Sequence, residues 1–239
     1  MNIKLLLAAI TFLAFIAPAF AATDKDFLEG VRFYQNKEYE KSASAFLKAS
    51  EAVINPDVYF NLANAYFKSG QLGKAILYYE KSLMLAYDQD CRRNLDFAVS
   101  RTEDRIEHKK TLVSSWLHRI GPDRLFTAAS WSAFLSGLFF SLKILGRRIH
   151  VIAAALPLLL ALLLFTASSY GYYEMHLPRA VILAHEVPVL VAPGIDESVS
   201  FKLHEGARVM VLEDRGAWLR ISLPNGLSGW LPSEHTGRV

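Results

Sequence analysis

The chain has 239 residues, 52% of them hydrophobic and 21% charged, with a formal net charge of +3. That length leaves room for two small soluble domains beside any membrane segment, and the weak charge, with no basic arm or acidic tail, offers no electrostatic case for nucleic acid. A single cysteine, Cys91, excludes an intrachain disulfide and lies too far from the amino terminus to carry a lipid there. Its expected role is a small apolar helix residue, the alternative being an intermolecular disulfide.

At the amino terminus, Lys4 precedes an apolar stretch from Leu5 to Ala17, and Ala19-Phe20-Ala21 supplies the small, large, small pattern of a signal peptidase site. Residues 1–21 are expected to be a signal peptide cleaved after Ala21, with an uncleaved anchor as the alternative. Either outcome delivers residues 22–124 outside the cytoplasm.

Residues 22–110 read as helices with an internal repeat. Gly30, Phe33, Tyr39, Phe46 and Ala49 recur as Ala63, Tyr66, Leu72, Tyr79 and Ser82 at a constant offset of 33 residues, and a period of that size marks stacked helical hairpins. Small residues at Ala63, Ala75 and Ser82 allow close helix approach, Tyr66 and Tyr79 fill the space between hairpins, and Gly70 ends a helix. The segment Tyr59 to Leu83 resembles the tetratricopeptide repeat almost position by position. The first copy departs from it, with Asp26 at a usually aromatic position and Ser42 for the inner alanine, and Pro56 follows as a break. A third start at Asn94-Leu95 runs into the charged stretch Arg101 to Lys110, as befits a terminal helix. Two full repeats and a capping helix are expected.

The resemblance implies a peptide-binding concave face formed by the first helix of each hairpin. It places Phe27, Val31, Tyr34 and Gln35 of the first repeat, Phe60, Asn64, Phe67 and Lys68 of the second, and Arg93, Phe97 and Arg101 of the cap on that surface. Aromatics beside amides and cations can grip an extended chain by packing and hydrogen bonding. The alternative for each aromatic is a place in the hairpin core.

Residues 111–124 form a linker broken by Gly121-Pro122-Asp123. Two runs then follow, Leu125 to Leu142 and Ile149 to Tyr170, without a single Asp, Glu, Lys or Arg. As helices they reach roughly 27 and 33 Å, against about 30 Å of bilayer hydrocarbon. Transmembrane helices are expected over 125–145 and 149–170, with buried core helices as the alternative. Lys143, Arg147 and Arg148 in the connecting turn mark its cytoplasmic side, although Lys110, Arg119 and Arg124 match them in number before the first span. Two crossings return the chain to one compartment. Trp116 and Trp131 are candidates for the membrane interface. Ala129, Ala133, Gly137 and Ser141 recur every four residues, a stripe of small side chains expected to pack against the second span, with contact to a different membrane protein as the alternative.

Beyond Tyr170, strand-like runs at 180–183, 187–191, 207–213, 218–223 and 228–231 alternate with turn signals, Pro224-Asn225-Gly226 being a strong hairpin signal. Five short strands predict a small barrel. Residues 179–239 resemble the bacterial SH3 domain, most clearly in Val189 to Gly194, Phe201 to Gly206, Gly216 to Ile221 and Gly229-Trp230-Leu231-Pro232. The paired aromatics that hold proline-rich ligands in eukaryotic SH3 domains have no counterpart at Ala184 to Val189 or Ala217. Trp218 is assigned to the barrel core, and Trp230, Pro232 and His235 are candidates for a shallow groove. Bacterial SH3 domains often touch peptidoglycan or envelope peptides.

The fold class expected is a multi-domain membrane protein: an all-α tetratricopeptide repeat domain, two transmembrane helices and a C-terminal all-β SH3-like barrel. No catalytic motif is present, the seven histidines show no metal-ligand spacing, and neither enzyme activity nor a cofactor is expected. In its order of parts the chain resembles the BatE-like proteins of the Bacteroides aerotolerance operon. That resemblance implies a non-enzymatic inner-membrane partner of von Willebrand A-domain proteins and, indirectly, of a MoxR-type ATPase in envelope stress tolerance, with both soluble ends in the periplasm. A peptidoglycan tether acting through the SH3 domain is the alternative from a different class.

Overall fold

The computed structural model describes residues 25–104, 120–146, 150–194 and 197–239. The expected signal peptide and most of the 111–124 linker, Trp116 included, lie outside them. The chain divides into two compact units, the described parts of residues 1–107 with 178–239, and of residues 108–177.

Among its described residues the first unit carries five α-helices: α1 over residues 25–35, α2 (Tyr39–Ala52), α3 (Pro56–Lys68), α4 (Leu72–Leu85) and α5 (Gln89–Val99). Pro56 opens α3, since a first-turn residue needs no backbone donor, and the Asn55 side chain accepts from the Asp57 N–H at 2.7 Å. Asp88 caps α5 the same way through the Cys91 N–H. Gly70, at φ +83°, takes the left-handed conformation that turns α3 into α4. Gly30 lies so close to Phe46 that a Cβ would come within 2.7 Å of the ring, and its carbonyl accepts from the Ser42 hydroxyl at 2.8 Å. The small residues at the repeat positions thus set the spacing of the first hairpin.

Seven strands complete this unit: β1 (Arg179–Ile182), β2 (Glu186–Leu190), β3 (Val199–His204), β4 (Arg208–Asp214), β5 (Trp218–Ser222), β6 (Ser228–Pro232) and β7 (Thr236–Arg238). They form one antiparallel sheet in the order β3-β2-β6-β5-β4-β1-β7. Two strands exceed the five predicted. β3 carries the alternation Val199, Phe201, Leu203 of a half-buried strand, whereas β7 is three residues with a central glycine and forms only by pairing with β1. The sheet is open, with β3 and β7 at its edges. One face buries Ala180, Ile182, Val187, Val189, Leu219, Ile221 and Leu231. Alternation along β5 sends Leu219 and Ile221 into that core, so the half-exposed Trp218 lies outside it. This corrects the expectation for Trp218.

Helices and sheet share an apolar cluster. Val181 of β1 is buried with Leu77, Ile76 and Tyr79, and Leu183 and Val239 pack against the same group. A Cβ on Gly237 of β7 would overlap Leu77, and one on Gly206 would come within 2.6 Å of the Thr102 methyl and 2.9 Å of Ile76.

The second unit contains α6 (Pro122–Ile144) and α7 (Val151–Met175). Both are long and apolar enough to cross a membrane, and their most hydrophobic windows are only 17% and 11% buried within the protein. Pro122 at the first position and Gly121 at φ +82° start α6. The contact between the two helices corrects one expectation. Ala129 is buried, but Ala133, Gly137 and Ser141 are exposed, and Leu125, Ala129, Ser132 and Ser136 are the buried series. Steps of exactly four would advance the stripe about 40° each time around the helix, whereas steps of four, three and four keep one face toward the neighbour. Ser132 and Ser136 donate to the carbonyls of Pro157 and Ala154 at 2.7 and 2.8 Å, and Ser168 to that of Pro122 at 2.9 Å.

Candidate protein-binding surface

The first helices of the hairpins, α1 and α3, together with α5 carry the residues assigned to the binding face, and the structure sorts them into two groups. Phe27 packs edge-on against Phe46 at 5.4 Å, Tyr34 against Tyr39 at 5.4 Å, and Phe60 lies tilted over Tyr79 at 6.1 Å. These three, like Val31, are partly buried against the helical core. Asn64 is also committed internally: its Oδ1 accepts from the Tyr79 hydroxyl at 2.6 Å and from Asn94 Nδ2 at 3.0 Å. Burial drives the Tyr79 hydroxyl well above its ordinary pKa, so it stays a donor.

The second group faces solvent. Gln35, Lys68, Arg93 and Arg101 are exposed, and Phe97 is 50% exposed. Phe97 meets the partly buried Phe67 at 5.6 Å between ring centroids, and the Arg101 guanidinium lies 4.8 Å from the Phe97 centroid. Arg93 is held by Asp90. A cation over a half-exposed ring that is backed by the partly buried Phe67, with the exposed Lys68 on the same helix as Phe67, offers apolar area and charge together, the combination that holds an extended acidic segment. Phe67, Phe97 and Arg101 form the surface best suited to a ligand.

The opposite side of this layer is occupied. The sheet packs on α4 through β1 and β7. Glu80, 5% exposed, accepts from Arg208 at 2.9 Å and pairs with Arg179 at 3.4 Å. Burial alone would raise its pKa, but the two guanidinium groups outweigh that and hold the carboxyl below its ordinary range. Gln71 provides no side-chain cap for α4; the Gly73 N–H donates instead to Glu205 of the sheet at 2.7 Å, which places a carboxylate at the positive end of the helix. His204 Nδ1 lies 3.0 Å from Asp104, and the His204 N–H donates to the same carboxylate at 2.6 Å. None of these residues was nominated by sequence reasoning. Their partners lie about 100 or more positions away, and Glu80 alone signals itself, as an acid among apolar neighbours on α4.

Among the sheet candidates, Trp230 is buried, 7% exposed, beneath Arg215, whose guanidinium lies 4.6 Å from its ring. Pro232 is half-buried, and His235 sits beside Glu234 at 3.7 Å. Cys91 is buried at 0% exposure against the Tyr79 carbonyl, and burial pushes its thiol up to about 11. That environment is unsuited to an intermolecular disulfide. Among the described residues no group of three His, Cys, Asp or Glu side chains is arranged to hold a metal ion.

Residues 56–86 match the tetratricopeptide repeat family. Helices α3 and α4 are therefore a tetratricopeptide repeat, a module of protein–protein interaction. No curated protein matches the chain.

Proposed function

We propose that this protein is a non-enzymatic, membrane-anchored scaffold that captures an acidic protein segment on the face formed by α3 and α5. The observation that carries the reading is the Arg101 guanidinium over the Phe97 ring, both open to solvent beside the partly buried Phe67, while the sheet covers the other side of α4. The two apolar helices support membrane attachment. The basic turn between them supports a cytoplasmic connection with both soluble parts outside, in the envelope compartment. The C-terminal sheet is read as a bacterial SH3-like module that here braces the repeat. Envelope stress proteins of the von Willebrand A-domain type are the first partners to examine.

The test is crosslinking and co-purification of full-length protein from membranes, comparing wild type with a Phe97→Ala, Arg101→Glu variant. Loss of the wild-type partners with an unchanged unfolding midpoint is the expected result; full retention of every partner would remove the assigned face. Alkaline phosphatase fusions after Lys110 and after Val239 should both be active, and one inactive fusion would refute the shared compartment.

A further inference from the structure

We propose that the contact between His204 and Asp104 is a proton-sensitive latch that regulates the α3–α5 face, holding Arg101 over Phe97 more firmly when the His204 ring is protonated. This deepens the reading of that face as the binding surface and rests on it. Residues 100–104 form the turn that leaves α5. At its near end the Arg101 and Thr102 N–H groups donate to the Ala98 and Val99 carbonyls at 3.0 and 3.1 Å. The Thr102 hydroxyl donates to the Val99 carbonyl at 2.8 Å and lies 3.3 Å from that of Asp104. The far end is fixed to the sheet, where Asp104 accepts from the His204 N–H at 2.6 Å and lies 3.0 Å from His204 Nδ1. Arg101, 4.8 Å from the Phe97 centroid, therefore stands between a helix end and a turn pinned to β3.

The ring has a carboxylate on both of its nitrogens. Nδ1 faces Asp104, whereas Nε2 faces Glu103 at 3.6 Å and Glu186, the residue opposite His204 on β2, at 3.7 Å. A neutral imidazole carries one N–H, so either tautomer turns a lone pair toward an anion; only the imidazolium presents a proton on both sides. The hydrogen bond to Asp104 also gains from the charge, since charge-assisted bonds are about twice as strong as neutral ones. His204 and Asp104 are 21% and 17% exposed, so solvent screens this contact only in part.

The neighbouring charges leave the sensing to this ring. Lys202 is paired with Glu186 at 2.7 Å, His185 also acts on Glu186, and Glu205 is taken up by the Gly73 N–H. The bond to Asp104 outweighs desolvation and raises the ring's pKa above 6.5. The latch is thus complete below that value and weakens as pH rises through the folded pKa. A turn held at both ends keeps Arg101 in place before a ligand arrives, and loosening it transfers the cost of ordering to the binding step.

The test compares full-length protein in detergent with the His204→Gln and Asp104→Asn variants at pH 6 and pH 8. The probe is a decapeptide of glutamate carrying a pH-insensitive rhodamine; its carboxylates stay ionised across this range. Amide hydrogen exchange at residues 100–102, expressed as protection relative to an unstructured chain at each pH, reads the latch itself. In wild type the peptide is expected to bind about fivefold more weakly at pH 8, the low end of couplings between sites, with a similar loss of protection at 100–102. Neither variant should show these changes. Protection that runs in parallel in wild type and both variants would overturn the latch. A fall in protection confined to wild type, with peptide affinity changing equally in all three proteins, would overturn the regulation and leave the binding face intact. Peptide that fails to bind wild type at either pH, or binds Phe97→Ala, Arg101→Glu equally well, would remove the binding-face reading and the inference with it.

Discussion

Arg208 of β4 donates to the Glu80 carboxylate of α4 at 2.9 Å across 128 residues of sequence, and the buried acid is held by a second arginine, Arg179. Removing the acid strands the Arg208 guanidinium beside α4 and takes one partner from Arg179. Glu80→Gln is therefore expected to cost on the order of 3–5 kcal/mol, the penalty for breaking a buried pair by deleting one partner. Urea denaturation of detergent-solubilised protein measures it. Because the folded pKa of Glu80 lies below its ordinary 4.5, the contribution is complete above that value and lost as pH falls through the folded pKa. The acid limb of the wild-type stability profile should be steeper than that of the variant.

His204 responds to pH in the opposite sense. Its hydrogen bond to Asp104 raises its pKa above 6.5, with further support from Glu103 and Glu186, the latter paired with Lys202. The tie between the turn after α5 and β3 is at full strength below pH 6.5 and weakens as pH rises through the folded value. The unfolding midpoint of wild type should fall more between pH 6 and pH 8 than that of His204→Gln; parallel profiles would show that His204 contributes nothing to the difference.

Close approach of backbone at Gly206 depends on the missing side chain. Its φ is +86° and a Cβ would meet Thr102 at 2.6 Å and Ile76 at 2.9 Å, so Gly206→Ala combines strain with overpacking and should cost roughly 1–3 kcal/mol. Limited proteolysis reads the consequence: faster cleavage after Arg101 than in wild type, because Thr102 stands in the strained contact.

Helix pairing in the second unit offers a contrast between two small residues. Ala129 is 4% exposed against α7, whereas Gly137 has nothing within 4 Å of a Cβ position. Ala129→Leu should separate the helices and lower the thermal midpoint in detergent, while Gly137→Ala should raise helix propensity slightly and leave the midpoint near wild type. Equal losses in both would restore the four-residue stripe as the contact.

The repeat, the apolar helices and most strands were legible because each is written in local periodicity. The 33-residue offset from Phe33 to Tyr66 and from Phe46 to Tyr79 reports a hairpin that recurs, and an uncharged run such as Leu125 to Leu142 reports a helix whatever surrounds it. Aromatics on α1 and α3 were legible only as a face. Which of them stay open depends on partners such as Phe46 and Tyr79, which close over Phe27 and Phe60 and leave Phe97 exposed.

What only the tertiary structure decided is how the segments before and after the two apolar helices meet. Residues on either side of α6 and α7 combine because Glu80 receives Arg208 and Arg179, Glu205 caps α4 at Gly73, and Val181 completes the helical core. Each of these contacts joins positions about 100 or more residues apart and turns on a charge or a gap matched by a distant group. A hydrophobic period determines which residues turn inward within one element, but carries no record of which other element will meet them.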